Sequence, residues 1–194
     1  VFQHGIQHRI ESRACSVTGH RSARLGIRCS SDPAAKALAE GLRQHILALY
    51  YEHGIIHFFS GMAQGVDIWY AQQVLRLRRY KPEVTLHCVL PCYGQEAGWP
   101  LRERSLYHKI LEQADEAFYL NGSYFPGCMQ ERNRYLVDRA QTLLAVYDGA
   151  PGGGTEYTLR YARDRKRRIV LVRPQELLAA EGEKACGQGG PAES

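Results

Sequence analysis

The chain has 194 residues, 44% of them hydrophobic and 23% charged, with 25 Lys and Arg against 20 Asp and Glu for a net charge of +5. Such a composition fits one ordinary globular domain, with or without a tail, and excludes a disordered, collagen-like or disulfide-stapled chain. The longest uninterrupted apolar run, Ile46 to Tyr51, is six residues, far short of the roughly 20 that a membrane span needs, and no charged segment followed by a long apolar stretch marks a secretory signal near the first residue.

Six cysteines, Cys15, Cys29, Cys88, Cys92, Cys128 and Cys186, are scattered without a CxxC pair. Cys88 and Cys92 have poor zinc spacing. The pattern predicts reduced thiols in a cytoplasmic protein, several packed as small hydrophobes, and no metal site. The stretch Arg160 to Arg168 carries six cations against Asp164, so it holds the whole charge excess (six minus one is five). It reads either as a surface for phosphates or nucleic acid or as the solvated face and last turn of a helix, where cations suit the dipole. The second reading is preferred.

In chain order, short apolar runs alternate with helical patterns, as in βαβ units around a parallel sheet. Residues 14–18 read as the first strand. Thr18-Gly19-His20-Arg21 follows, with a polar stretch to Asp32. Gly19 allows a sharp turn and close approach to a ligand. Arg21 offers a bidentate phosphate contact. His20 in a turn reads first as an ordinary hydrogen-bonding residue and second as a base. A plain turn with a surface arginine is the alternative for the segment, but its roughly dozen residues exceed an ordinary βα loop. Asp32 and Pro33 then start a helix that buries Leu38, Leu42, Ile46 and Leu49 and ends at Gly54.

Residues 55–59 form the second predicted strand, followed by Ser60-Gly61-Met62-Ala63-Gln64-Gly65-Val66-Asp67. The backbone N–H groups of such a glycine-rich helix start can hold an anion. Neither GxGxxG nor the Walker pattern is present. Asp67 either accepts from a ligand hydroxyl or complements the helix N-terminus. The helix from Val66 carries Trp69, Tyr70, Val74 and Leu77 before Pro82. Strand 84–90 leads to Pro91-Cys92-Tyr93-Gly94-Gln95 and Trp99, either a base-reading aromatic and amide or a loop anchored by a buried Trp. A helix from Leu101 to Gln113, with Leu106, Ile110 and Leu111 inward, precedes strand 117–120 and a helix from Met129 to Arg139.

Strand 142–147 ends in Asp148-Gly149-Ala150-Pro151-Gly152-Gly153-Gly154-Thr155, then a helix from Glu156 to Lys166 and strand 169–172. Consecutive glycines at a helix start present bare backbone donors, and Thr155 adds a hydroxyl. A purely structural triple glycine is entropically expensive, so this stretch reads as a phosphate site. Apolar rather than alternating strands indicate a sheet covered on both faces. The expected fold is α/β, a Rossmann-like three-layer sandwich with a mostly parallel sheet of about six strands. Residues 1–13 read as an extension, 14–174 as the domain and 175–194 as a tail, loose from Glu181 onward.

These stretches together resemble the YpsA-like family, a single-domain branch of the SLOG superfamily that also includes the DprA/Smf and LOG proteins. The matching pieces are TGHR at 18–21, SGMAQGVD at 60–67, Gln95 with Trp99, ERNRYLVDRA at 131–140 and AVYDGAPGGGTEYTLRYA at 145–162. The resemblance spans most of residues 14–174 and rests on the order of several motifs. It implies a pocket for a nucleotide or nucleotide-derived ligand, with no other cofactor. Gly19, Arg21, Ser60, Gly61, Gly65, Asp67, Arg132, Asn133, Asp148, Gly152, Gly153, Gly154 and Thr155 would lie at or near it. A ligand-sensing or regulatory role in bacterial physiology follows by analogy, and a homodimer is compatible with it.

Two other functions compete. A phosphoribohydrolase, as in the LOG branch, would cleave the N-glycosidic bond of a nucleoside monophosphate, with Glu156 or Asp67 as the acid. The LOG fingerprint resembles PGGxGTxxE, and here the glutamate position is Thr158, with Glu156 about 200° away around the helix. That places Glu156 poorly for proton transfer. A DprA-like protein would bind single-stranded DNA through the basic 160–168 stretch.

Overall fold

The computed structural model of the protein describes residues 11–28 and 31–179. Cys29, Cys186 and the tail from Glu181 lie outside them. Six strands form one sheet: β1 (Glu11–Gly19), β2 (His57–Ser60), β3 (Thr85–Cys92), β4 (Glu116–Asn121), β5 (Ala140–Val146) and β6 (Arg168–Val172). Every pairing between them is parallel. Their spatial order is β4-β3-β2-β1-β5-β6.

The helices are α1 (Pro33–His53), α2 (Val66–Arg78), α3 (Leu101–Gln113), α4 (Cys128–Arg139), α5 (Gly154–Asp164) and α6 (Pro174–Ala179). Helix α1 begins where the Ala34 N–H donates to the Asp32 carboxylate at 3.0 Å. It ends at Gly54, whose φ of 62° is the left-handed conformation that glycine tolerates. Its Leu38, Leu42, Ile46 and Leu49 stripe is buried.

Strand residues alternate between two cores. Cys15, Val17, Phe58, Leu86, Cys88, Leu90, Leu144 and Val146 pack with α1, α2 and α3. Phe59 and Val89 pack under Leu136 of α4, while Leu143 and Ala145 meet Val137 of α4 and Leu159 of α5. Both sheet faces are therefore covered, which explains the lack of alternation in the sequence.

Two details differ from the sequence expectation. In α3 Tyr107 is fully buried beside Ile110, with Leu106 and Leu111 partly buried against the same core. Residues 174–179 form a further helix, α6, and its Leu177 packs so closely on α1 that a Cβ at Gly41 would lie 2.6 Å from it. Cys15, Cys88, Cys92 and Cys128 are free and buried. Burial pushes the Cys15 and Cys88 thiols up to about 12, so they remain protonated packing groups. Among the described residues, no helix is long and apolar enough to cross a membrane. The same residues contain no group of three or more His, Cys, Asp or Glu arranged for a metal ion.

Candidate functional site

The strand order fixes where a ligand can enter. From β1 the chain moves outward through β2, β3 and β4, and α4 then carries it back to β5 on the other side of β1. The connections that leave the carboxyl ends of the parallel strands β1 and β5 thus run to opposite sides of the sheet, and open α/β sheets bind ligands in the crevice between them. A cavity of about 380 Å³ lies there. Thr18, Gly19, His20, Arg21 and Arg24 line it from the β1 side, and Ala63 and Asp67 from the start of α2. Met129, Gln130, Arg132 and Asn133 of α4 close one wall, and Gly152, Gly153, Gly154 and Thr155 the other.

The turn at 60–67 is hydrogen-bonded to itself. The Met62 N–H donates to Ser60 Oγ at 3.1 Å, and the Ala63 N–H donates to Asp67 Oδ2 at 3.3 Å. Ser60 Oγ in turn donates to the Asp67 carbonyl at 3.0 Å. Met62 sits at φ 57°, unusual for a residue with a side chain. Its N–H is held by Ser60, and its carbonyl accepts from Gln95 Nε2 at 3.2 Å. The amides of Met62 and Ala63 therefore do not face a ligand.

The turn instead positions Arg132. A Cβ on Gly61 would fall 1.4 Å from Arg132 Nη1, so the guanidinium lies directly over the bare glycine backbone. Arg132 Nη1 donates to Asp67 Oδ2 at 3.4 Å, and both side chains are almost fully buried. Burial raises the Asp67 carboxyl above its ordinary range, and Arg132 partly offsets this. Burial likewise lowers the Arg132 guanidinium, with Asp67 opposing. Arg132 Nε has no hydrogen-bond partner. A guanidinium carries five N–H donors, and a buried one held by a single long ion pair leaves charge and donors available to an anion in the cavity.

The loop before α5 is open. The Tyr157 N–H donates to the Gly153 carbonyl at 3.2 Å, beginning the helical ladder there. The N–H groups of the first turn, at Gly154, Thr155 and Glu156, precede any intrahelical acceptor. They form the positive end of the helix dipole. Gly152 and Gly153 have φ of 86° and 89°, which disfavours any side chain. No neighbour would meet a Cβ at Gly152, so packing is not the reason for that glycine.

The mouth is bridged by Arg24, which lies in a short 3-10 turn (Ser22–Leu25). Its Nε and Nη2 donate to Asp148 Oδ2 and Oδ1 at 3.2 and 3.3 Å. The Ala150 N–H donates to Asp148 Oδ1 at 2.9 Å. These contacts hold the Asp148 carboxyl below its ordinary range, Ala150 being the largest cause. His20 is buried beside them, and its Nε2 accepts from the Asp148 N–H at 3.1 Å.

Comparison with known proteins identifies the family. The family model described as the YspA SLOG family matches residues 15–177. The chain belongs to the YspA SLOG family. It is 31% identical to a UPF0398 protein of Halalkalibacterium halodurans over 88% of this chain and 94% of that one. It is 30% identical to a UPF0398 protein of Bacillus pumilus over 77% and 81%, and 28% identical to one of Bacillus thuringiensis over 78% and 83%.

With the SLOG framework in place, the sequence candidates separate into two groups. Gly19, Arg21, Asp67, Arg132, Asn133, Gly152, Gly153, Gly154 and Thr155 line one cavity. Ser60, Gly61, Gly65 and Asp148 are not among its lining residues. Gly65, at φ 99°, makes room for the backbone of residues 20–22, where a Cβ would lie 2.6 Å from the Ser22 nitrogen. Glu156 also stands outside the lining, and its carboxylate accepts from the Gly152 N–H. Thr158, at the LOG glutamate position, is buried, donating to the Gly154 carbonyl and accepting from Asn133 Nδ2. Asp67 is the carboxylate that lines the cavity.

Gln95 and Trp99 do not read a base from that cavity. Gln95 Nε2 reaches the carbonyls of Gly61 and Met62 and the Tyr107 hydroxyl, and Trp99 packs edge-on against Tyr107. They anchor the 60–67 turn from behind. The basic stretch is partly neutralised: Arg165 and Arg167 reach Asp138, and Arg167 Nε donates to the Val137 carbonyl at the end of α4.

Sequence reasoning missed Arg24, Met129 and Gln130 as lining residues. Arg24 lies three residues after Arg21, in the 3-10 turn that Arg21 precedes in extended conformation. Met129, Arg132 and Asn133 follow the i, i+3, i+4 rule for one helix face.

Proposed function

We propose that the cavity binds a nucleotide or nucleotide-derived small molecule by its phosphate, and that the protein acts as a ligand sensor or regulatory protein. The observation that carries this reading is Arg132, a buried guanidinium with one long ion pair to Asp67, which lines the same cavity as the first turn of α5. A phosphate between them would accept from the amides of Gly154 and Thr155 and from the guanidinium, as charge-assisted bonds to a helix N-terminus do. Arg21 and Arg24 add positive charge at the mouth. The volume of about 380 Å³ lies in the range of small-molecule sites. SLOG membership adds the nucleotide character of the ligand.

Thermal unfolding with a panel of nucleoside mono-, di- and triphosphates tests the reading. Any ligand of the native state stabilises it by mass action, by about 2.7 kcal/mol at a hundredfold excess over Kd, and so raises Tm. At least one member of the panel is expected to do so in proportion to its concentration. A flat response across the panel, with nothing nucleotide-like detected by mass spectrometry of the purified protein, would overturn it.

A further inference from the structure

The mouth of the cavity holds an arrangement that simple binding does not require. Arg24 is a cavity-lining cation already held by a carboxylate of its own chain, in a two-pronged contact at 3.2 and 3.3 Å. Its Nη1 passes 3.6 Å from the Cβ position of Gly153, over the loop that leads into α5. An anion at that helix start would meet Arg24 at once, and Asp148 and the anion would compete for one guanidinium.

His20 stands on the other side of Asp148. Its Nε2 lies 3.1 Å from the Asp148 N–H and 3.0 Å from Asp148 Oδ1. One nitrogen can satisfy only one of these contacts. Neutral, it accepts from the N–H and faces the carboxylate with a lone pair; protonated, it donates to the carboxylate and faces the N–H. The charged groups that bear on it are Asp148 and Arg24. From the 60–67 segment the Val66 N–H donates to the His20 carbonyl at 3.4 Å. The Tyr147 ring lies 5.6 Å away. Burial and Arg24 lower the imidazole, opposed by Asp148, and the net direction is down. The two-pronged contact makes Arg24 the cation that serves Asp148, while His20 Nε2 is placed to accept from the Asp148 N–H.

We propose that Arg24 is the movable arm of the anion subsite, that Asp148 holds it until a tetrahedral anion takes it over, and that His20 then gains a proton from solvent and replaces Arg24 as the cation of Asp148. This rests on the phosphate reading of the cavity and adds its regulation. Charge balances at each step: one guanidinium leaves the carboxylate for the ligand, and one imidazolium takes its place. The sign follows. Binding raises the proton affinity of His20, so anion affinity is greatest at low pH and falls as pH rises through the imidazole range.

Sulfate is the appropriate probe, being a tetrahedral dianion that exchanges no proton near neutrality. It is titrated into the full chain by NMR at constant ionic strength, at about pH 8 and about pH 6. The amides of Gly153, Gly154 and Thr155 report binding, and the His20 ring nitrogens report its proton. The expected result is about fivefold tighter binding at the lower pH, accompanied by His20 protonation. His20→Gln removes the pH dependence. Asp148→Asn keeps the oxygen that accepts from Ala150, frees Arg24, and binds sulfate about two- to fivefold more tightly at the higher pH. Sulfate that shifts those amides with equal affinity at both pH values, His20 staying neutral, overturns the relay and leaves the subsite standing. Amides that sulfate never perturbs overturn both.

Discussion

The turn at 60–67 and the loop at 148–155 have similar compositions, each a glycine-rich link from a strand to a helix, yet they serve opposite purposes. In the first, glycines are forced by contact: Gly61 lies under the Arg132 guanidinium and Gly65 under the backbone of residues 20–22. Its Met62 and Ala63 amides are satisfied by Ser60 and Asp67. In the second, Gly152 has no neighbour that a Cβ would meet, and Gly153 has only the tip of Arg24. Gly154 and Thr155 of its first helical turn line the cavity. Glycine content alone therefore does not mark an anion site. What marks one is glycine that packing does not require, beside N–H groups with no internal acceptor.

The sharpest way to break the comparison is through the first region. If the 60–67 turn exists to seat Arg132, removing the guanidinium should strand Asp67. Arg132→Met removes the ion-pair partner of the buried Asp67 carboxylate, leaving Arg21 as the other cation that bears on it, and breaking a buried pair costs about 3–5 kcal/mol. The pH dependence has a definite sign. Burial already places the folded-state Asp67 above its unfolded range, and loss of Arg132 moves it higher. Such a group favours the folded state most when protonated, so the deficit of the variant is largest near neutrality and shrinks as pH falls through the raised folded pKa. Urea unfolding at about pH 7 and about pH 5 measures it. A deficit that is unchanged between the two would show that Arg132 does not compensate Asp67.

Much of this was legible in the sequence, and the parts that were not share a cause. All six strands follow from short apolar runs, because a doubly covered parallel sheet leaves no polar face to confuse the pattern. The α1 boundaries follow from Asp32, Pro33 and Gly54, since caps are local chemistry. The cavity wall formed by Gly152 to Thr155 also follows from local chemistry. The role of Gly61 does not, because its reason is a guanidinium 71 positions later in the chain, Arg132. Nor does the pairing of Arg24 with Asp148, 124 positions apart. Contacts made by topology rather than by neighbours in sequence leave no periodic trace, and Gln95 shows the converse. Its loop type is compatible with reading a base or with anchoring a turn, and only the fold shows that its amide reaches the carbonyls of Gly61 and Met62.

The second region is tested by giving it a side chain. Gly153→Val asks a β-branched residue to adopt φ 89°, a conformation of glycine, at a cost of about 1–3 kcal/mol. It also sets methyl groups where the backbone should approach a phosphate. The variant is expected to fold with a moderately lowered Tm and to lose the nucleotide-induced rise in Tm. Persistence of the full rise would place the anion elsewhere than the start of α5.

The smallest effect separates a loop role from a catalytic one at Glu156. Its carboxylate accepts from the Gly152 N–H, four residues back, and it sits in the first turn of α5, where negative charge complements the dipole. Glu156→Gln keeps an oxygen for Gly152 and removes only the charge, so stability should fall by about 0.3–1 kcal/mol. The charge removed lies beside the proposed phosphate position, so nucleotide affinity should rise slightly, by about twofold. A general acid would behave differently. Its loss would leave affinity nearly constant and abolish release of base from a nucleoside monophosphate. Measuring affinity and base release on the same Glu156→Gln preparation therefore distinguishes a carboxylate that shapes the glycine loop from one that reaches the ligand.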